Sequence, residues 1–180
     1  MGGMVARLVA GGLPIDRVMV GFKTLHPLYE GVTYIWSKEE GGVERSYHLG
    51  VRENNPDWAS SPMKWMIDHE VPFLRRHLIG PGAIIDFPVL ADFRERGGTD
   101  YLALVSPFVT DRDSELGNNQ IFMTYLTRRP SGFTDEDLAV LSAIQRRFAV
   151  ACKMRIMHEE TKTILETYLG SDAGWRVRNG

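Results

Sequence analysis

Apolar and polar positions divide this chain into a strand-rich first part and a long helical last third. Leu138, Leu141, Ile144 and Phe148 make an apolar stripe at helical spacing. The helix opens at Phe133-Thr134-Asp135-Glu136-Asp137-Leu138, with Thr134 as N-cap, acidic residues in the first turn and Phe133 placed to staple onto Leu138. It can be followed to Leu169, where Gly170-Ser171-Asp172-Ala173-Gly174 ends it. At 1.5 Å per residue it is roughly 50 Å long. A domain of this size has a radius of gyration of about 16 Å. The expectation is a helix that leaves its domain toward a partner or a further module.

The upstream pattern predicts a short helix over Val5–Leu13, then strands over 18–24, 32–36 and 43–49, the last returning antiparallel after the Glu39-Glu40-Gly41-Gly42 turn. Residues 26–31 read as a loop around Pro27. Asn54-Asn55-Pro56-Asp57 reads as a breaker cluster, and Ser60-Ser61-Pro62-Met63 announces a helix to about Glu70. Arg75-Arg76-His77-Leu78 leads to a break at Gly80-Pro81-Gly82, and Pro88 starts a short helix ending at Gly97-Gly98. Tyr101-Leu102-Ala103-Leu104-Val105 is apolar on both faces, which predicts a central strand over 99–108. Residues 110–119 are polar and turn-rich, and 120–127 pairs with 99–108 as a hairpin. Strands joined by short turns imply antiparallel pairing, with the helices on one side of the sheet: an α+β, sensor-like architecture.

Composition narrows the function. The chain has 180 residues, 43% hydrophobic and 24% charged, with net charge −2, a profile of a globular protein with no bulk reason to hold nucleic acid or an anionic membrane. No apolar run reaches membrane-spanning length. A single cysteine, Cys152, excludes an internal disulfide and suits a reducing cytoplasm.

Four segments carry a family resemblance: His26-Pro27-Leu28-Tyr29, Gly98-Thr99-Asp100-Tyr101, Pro130-Ser131-Gly132-Phe133-Thr134-Asp135-Glu136-Asp137-Leu138 and Thr163-Ile164-Leu165-Glu166-Thr167-Tyr168-Leu169-Gly170. In this order and spacing the chain resembles the N-terminal GAF-like regulatory region of bacterial class III adenylate/guanylate cyclases. The resemblance implies a GAF-like sensory domain over 1–133, a long helix over 134–169 and a connector over 170–180 toward a cyclase catalytic domain outside this chain. Nothing in this chain matches the metal-binding aspartates of the cyclase. The segment would therefore be a non-enzymatic regulator, and its parent would make cyclic nucleotide from ATP or GTP.

No phosphate-cradling glycine loop occurs, and His69-Glu70 lacks the second histidine of a zinc motif because Phe73 stands there. Asp111-Arg112-Asp113 reads as a solvated turn, and Cys152 as a small buried helix residue despite nearby Arg146, Arg147, Lys153 and Arg155. No metal or cofactor is expected. Tyr34 and Trp36 share one strand face. The resemblance places a ligand between sheet and helices, and Trp36, His48, Trp65, Asp68 and Tyr101 are expected around such a pocket, holding an unidentified small molecule. A parallel homodimer is expected through Leu141, Ile144, Phe148, Ala151, Ile164 and Leu165, with Tyr168 and Leu165 passing the signal on. The seam is irregular, since Arg155 and His158 fall on it. The alternative is a degenerate domain that binds nothing and only sets dimer geometry.

Overall fold

The computed structural model describes residues 2–26, 29–48, 55–107 and 120–169, and side chains outside 23–30, 41–54, 107–119 and 155–169. The elements are α1 (Gly2–Ala10), β1 (Arg17–His26), β2 (Tyr29–Ser37), β3 (Gly41–His48), α2 (Pro56–Ala59), α3 (Pro62–Asp68), β4 (Phe73–His77), α4 (Pro88–Glu95), β5 (Asp100–Pro107), β6 (Gln120–Thr127) and α5 (Asp135–Leu169). Six strands form one sheet in the order β3-β2-β1-β6-β5-β4, and every neighbouring pair is antiparallel.

Register decides which side chains share a face. Val18 lies opposite Trp36 on β2 and Tyr125 on β6, and Tyr125 lies opposite Leu102 on β5. This face packs against Val5 of α1 and Leu141 and Ala149 of α5. The intervening residues point the other way. There Tyr101, Ala103 and Leu126 pack against Met66 of α3 and Leu90 of α4. Helices therefore cover both faces, which corrects the expectation of helices on one side. The cause is visible in β5 and β6, whose apolar residues occupy consecutive positions and need cover above and below.

Capping explains the helix starts. Ser61 accepts a hydrogen bond from the Lys64 N–H at 3.1 Å, with Pro62 at the first helical position. Thr134 Oγ1 accepts from the Asp137 N–H at 3.2 Å while Asp137 Oδ2 accepts from the Thr134 N–H at 2.8 Å. Arg129 also donates to Asp137. Burial works to raise the Asp137 pKa, but the hydrogen bonds from Thr134 and Arg129 outweigh it and hold the carboxyl below its ordinary value. The long helix thus starts at a reciprocal capping box and continues to Leu169, as the sequence predicts.

Several boundaries differ from expectation. Helix α1 occupies Gly2–Ala10 rather than 5–13, and Gly12 with φ +97° follows it. β1 and β2 extend to His26 and back to Tyr29, so the predicted loop shortens; Pro27 and Leu28 lie outside the described residues. The turn-rich 110–119 segment, with Asp111-Arg112-Asp113, also lies outside them. Two elements are new. α2 starts inside the breaker cluster, where Asn55 Oδ1 accepts from the Asp57 N–H at 2.9 Å and Pro56 takes the first helical position. β4 is an edge strand despite its two arginines. Arg75 pairs with Asp100 on one face, and Arg76 pairs with Asp86 at 2.7 Å on the other. Among the described residues no helix is long and apolar enough to cross a membrane.

Candidate functional site

The face of the sheet opposite α5 carries a cavity of about 380 Å³. Its floor is built by alternation: Arg17, Met19 and Gly21 of β1 project the same way as Thr33 and Ile35 of β2. On the other flank Phe122 lies opposite Gly21 and Thr124 opposite Met19, and Tyr101 closes the floor from β5. The roof comes from three short pieces of backbone: Asp57 and Trp58 of α2, the Ser61-Pro62-Met63 start of α3, and Val89, Asp92 and Phe93 of α4. Each roof element begins with a proline at its first helical position, which sets the chain direction where it turns over the sheet.

The walls are mixed in character. Phe93 and Tyr101 stack with ring centroids 5.9 Å apart, and the Arg17 guanidinium lies over the Phe93 ring at 5.0 Å. The Tyr101 hydroxyl is hydrogen-bonded to Thr124, and burial pushes its pKa well above the ordinary tyrosine range. Carboxylates of Asp57 and Asp92 sit at exposed positions on the rim. The size is at the low end for small-molecule sites, which are mostly apolar with a few fixed polar groups.

Directly behind Tyr101, on the other face, Asp100 is fully buried. Its Oδ2 accepts from Arg75 Nη2 at 2.7 Å and from the Phe133 N–H at 2.9 Å, and Arg75 Nη2 also donates to the Phe133 carbonyl at 2.6 Å. Phe133 immediately precedes the α5 cap. Thr99 Oγ1 adds bonds to the carbonyls of Thr127 and Arg129, at 3.0 and 2.6 Å. Gly98-Thr99-Asp100-Tyr101 and Gly132-Phe133 are thus one physical unit. One side holds the cavity and the other roots the long helix.

The expected site residues separate. Tyr101 lines the cavity. Trp36 does not: it lies on the opposite face, packed on the first core near α1. Trp65 belongs to the core beneath α3, stacked on His69 at 4.4 Å and edge-on to Phe87. Asp68 is exposed and pairs with Lys64 at 2.5 Å. The His48 side chain lies outside the described residues. The cavity residues absent from that expectation, such as Arg17, Gly21 and Thr33, form no apolar stripe; Trp58, following the Asn55-Pro56 cap, had the clearest signal.

On α5, Leu141 is fully buried in its own domain, with Phe148 packed beside it, so the proposed seam is corrected at Leu141. Ile144 is half-buried and Ala151 exposed, while the side chains of Ile164, Leu165 and Tyr168 lie outside the described residues. The outward apolar positions are Val140, Val150 and Met154, with Val150 62% and Met154 69% exposed. Cys152 packs against the first core, and burial pushes its thiol up to about 11 rather than letting the neighbouring basic residues lower it. Folded Cys152 and Tyr101 keep protons that the unfolded chain gives up. Stability is therefore expected to fall as pH rises above about 9, the ordinary thiol value, and to fall further past about 10 as unfolded tyrosines ionise. Urea midpoints at pH 7, 9 and 10.5 check this; a constant midpoint would contradict it.

This antiparallel sheet, with a roofed cavity on one face and terminal helices on the other, is a GAF-like α+β fold. It is similar to the GAF domain of a two-component sensor histidine kinase from Bacillus halodurans, with a TM-score of 0.55 over 87% of this chain and 93% of that one, at 11% identity. No protein-family model and no curated protein matches the chain by sequence.

Proposed function

We propose that this chain is a non-enzymatic sensory and dimerisation module. Its cavity takes a small molecule, and its long helix carries the result to an effector. The observation that carries the reading is the adjacency of Tyr101 and Asp100. Successive residues on a strand face opposite ways, so a shift of β5 at the cavity moves the anchor of α5 by the same backbone displacement. A ligand that prefers one position of β5 biases the helix by its differential affinity. The four sequence segments described above favour a cytoplasmic class III adenylate or guanylate cyclase as the parent, with Leu165 and Tyr168 on the route to its catalytic pair.

The dimer uses the outward stripe of α5. Val140, Ala143, Arg147, Val150 and Met154 recur at alternating three- and four-residue steps, the coiled-coil spacing, and the same steps reach Met157, Thr161, Ile164 and Tyr168 in sequence. Ala143, Val150 and Met154 are exposed in the monomer. Sedimentation equilibrium is expected to show a dimer that Val150→Lys weakens at least about tenfold, since it adds a second positive charge beside Arg147 at the seam. A wild-type monomer at high concentration would contradict this part.

Native mass spectrometry of the gently purified chain tests the sensing reading. A small molecule that leaves on denaturation supports it. An empty chain that binds no component of a cell-metabolite extract favours a scaffold that only sets dimer geometry.

A further inference from the structure

We infer that the cavity is built for a flat aromatic ring without a phosphate, neutral or cationic, laid on the Gly21 backbone; this rests on the sensing reading above. Gly21 lies in the interior of β1, between β2 and β6, where a glycine weakens a strand by its entropy and its missing side chain. Nothing in the fold demands it. It is not among the glycines with positive φ. A Cβ placed there would meet only ordinary contacts, Met19 Sδ at 3.5 Å and Thr33 Oγ1 at 3.6 Å. A side chain at this position would point toward the cavity between Met19 and Thr33, so the glycine lowers the floor there. Such positions suit the close approach of a ligand to backbone.

The surroundings select the ligand's shape and charge. Phe122 and Thr33 flank Gly21 across the sheet, and Trp58 stands in the roof. A slot with a flat floor and aromatic walls favours stacking of a planar ring. Hydroxyls of Thr33 and Thr124 offer donors and acceptors to a ring edge. Among the described lining residues the charges are Arg17 against Asp57 and Asp92, one positive and two negative, leaving −1. Arg17 already rests on the Phe93 ring at the far end of the floor. A phosphate would bring further negative charge beside two carboxylates, whereas ring N–H groups or a ring cation would find acceptors in them.

Calorimetric titration of the whole chain with three probes tests this: lumichrome as a neutral flat ring, proflavine as a flat cation, and adenosine monophosphate as a flat ring bearing phosphate. At least one of the first two is expected to bind, and the phosphate-bearing ring at least about tenfold more weakly than it. Gly21→Ala, whose Cβ meets only ordinary contacts, is expected to retain the wild-type circular dichroism and thermal midpoint while losing affinity, and a folded Gly21→Val to lose at least about tenfold. Equal or tighter binding of adenosine monophosphate overturns the ligand class but leaves the sensing reading in place. Unchanged affinity in a folded Gly21→Val overturns the role of Gly21. If no probe binds the wild type, the ligand class fails, and the co-purified-ligand measurement decides the sensing reading separately.

Discussion

Asp100→Ala is expected to destabilise the domain by about 3–5 kcal/mol, the usual cost of removing one member of a buried ion pair. Asp100 is fully buried, while Arg75 is 20% exposed. Deleting the carboxylate leaves the Arg75 guanidinium partly buried with only the Phe133 carbonyl, and the Phe133 N–H loses its acceptor. For a chain of this length the thermal midpoint should drop by about 6–20 °C. Asp86→Ala provides the contrast. It removes the partner of Arg76, whose side chain is about as buried as that of Arg75, but Asp86 itself is 38% exposed and water reaches the vacated position, so the expected loss is smaller, about 1–2 kcal/mol. Arg75→Met combined with Asp100→Ala should cost less than the sum of the two single changes, because no orphaned charge remains. Equal losses for Asp100→Ala and Asp86→Ala would remove the basis for treating Asp100 as the anchor of α5.

Gly132→Ala should be nearly as damaging, for two separable reasons. Gly132 has φ +68°, a region that costs a residue with a Cβ about 1–3 kcal/mol. In addition, a Cβ there would stand 2.6 Å from Asp100 Oδ2 and 3.1 Å from Asp100 Cβ, so the carboxylate must leave its bonds with Arg75 and Phe133. Gly80→Ala isolates the first reason. Its φ is +81° and a Cβ would meet nothing within 4 Å. Gly80→Ala is therefore expected to cost about 1 kcal/mol, and Gly132→Ala at least about 3. Chemical denaturation of both variants measures the difference. Similar losses would mean that Asp100 moves aside cheaply, and that its hydrogen bonds hold α5 only weakly.

These anchor residues stood in the sequence as a motif without a stated mechanism. Gly98-Thr99-Asp100-Tyr101 and the segment from Pro130 to Leu138 are far apart in the chain, and only strand pairing brings Asp100 beneath Phe133. Much of the fold was legible because local chemistry and periodicity agreed: Ser61 with Pro62 for α3, Thr134 with Asp137 for α5, and the unbroken apolar runs of β5 and β6. β4 carried no strand signal because Arg75 and Arg76 interrupt any alternation of apolar and polar residues; their carboxylate partners on opposite faces, Asp100 and Asp86, come from later in the chain. The two sides of the sheet were not distinguishable in advance. Tyr34 and Trp36 do share a face, but both faces are covered, and only the pairing of Val18 with Trp36 assigns that face to α1 and α5. The cavity floor gave little signal for a related reason. Arg17, Met19, Gly21, Thr33 and Thr124 form a mixed surface, whereas periodicity reports uniformly apolar ones. The seam of α5 was displaced by the same ambiguity. The helix carries apolar residues on an inner face at Leu141, Phe148 and Ala149 and on an outer one at Val140, Val150 and Met154, so one sequence supports two stripes.

Methyl NMR of the chain labelled at its methionines tests most directly whether the roofed face of the sheet receives a ligand. Met19 and Met63 line the cavity, whereas Met123 is buried in the core on the opposite face and Met4 packs there from α1. Titration with a mixture of small aromatic fragments is expected to move the Met19 and Met63 signals first and furthest, with Met4 and Met123 little changed. Shifts confined to Met4 and Met123, or no shift at Met19 and Met63 at millimolar fragment, would contradict a receptor cavity on that face.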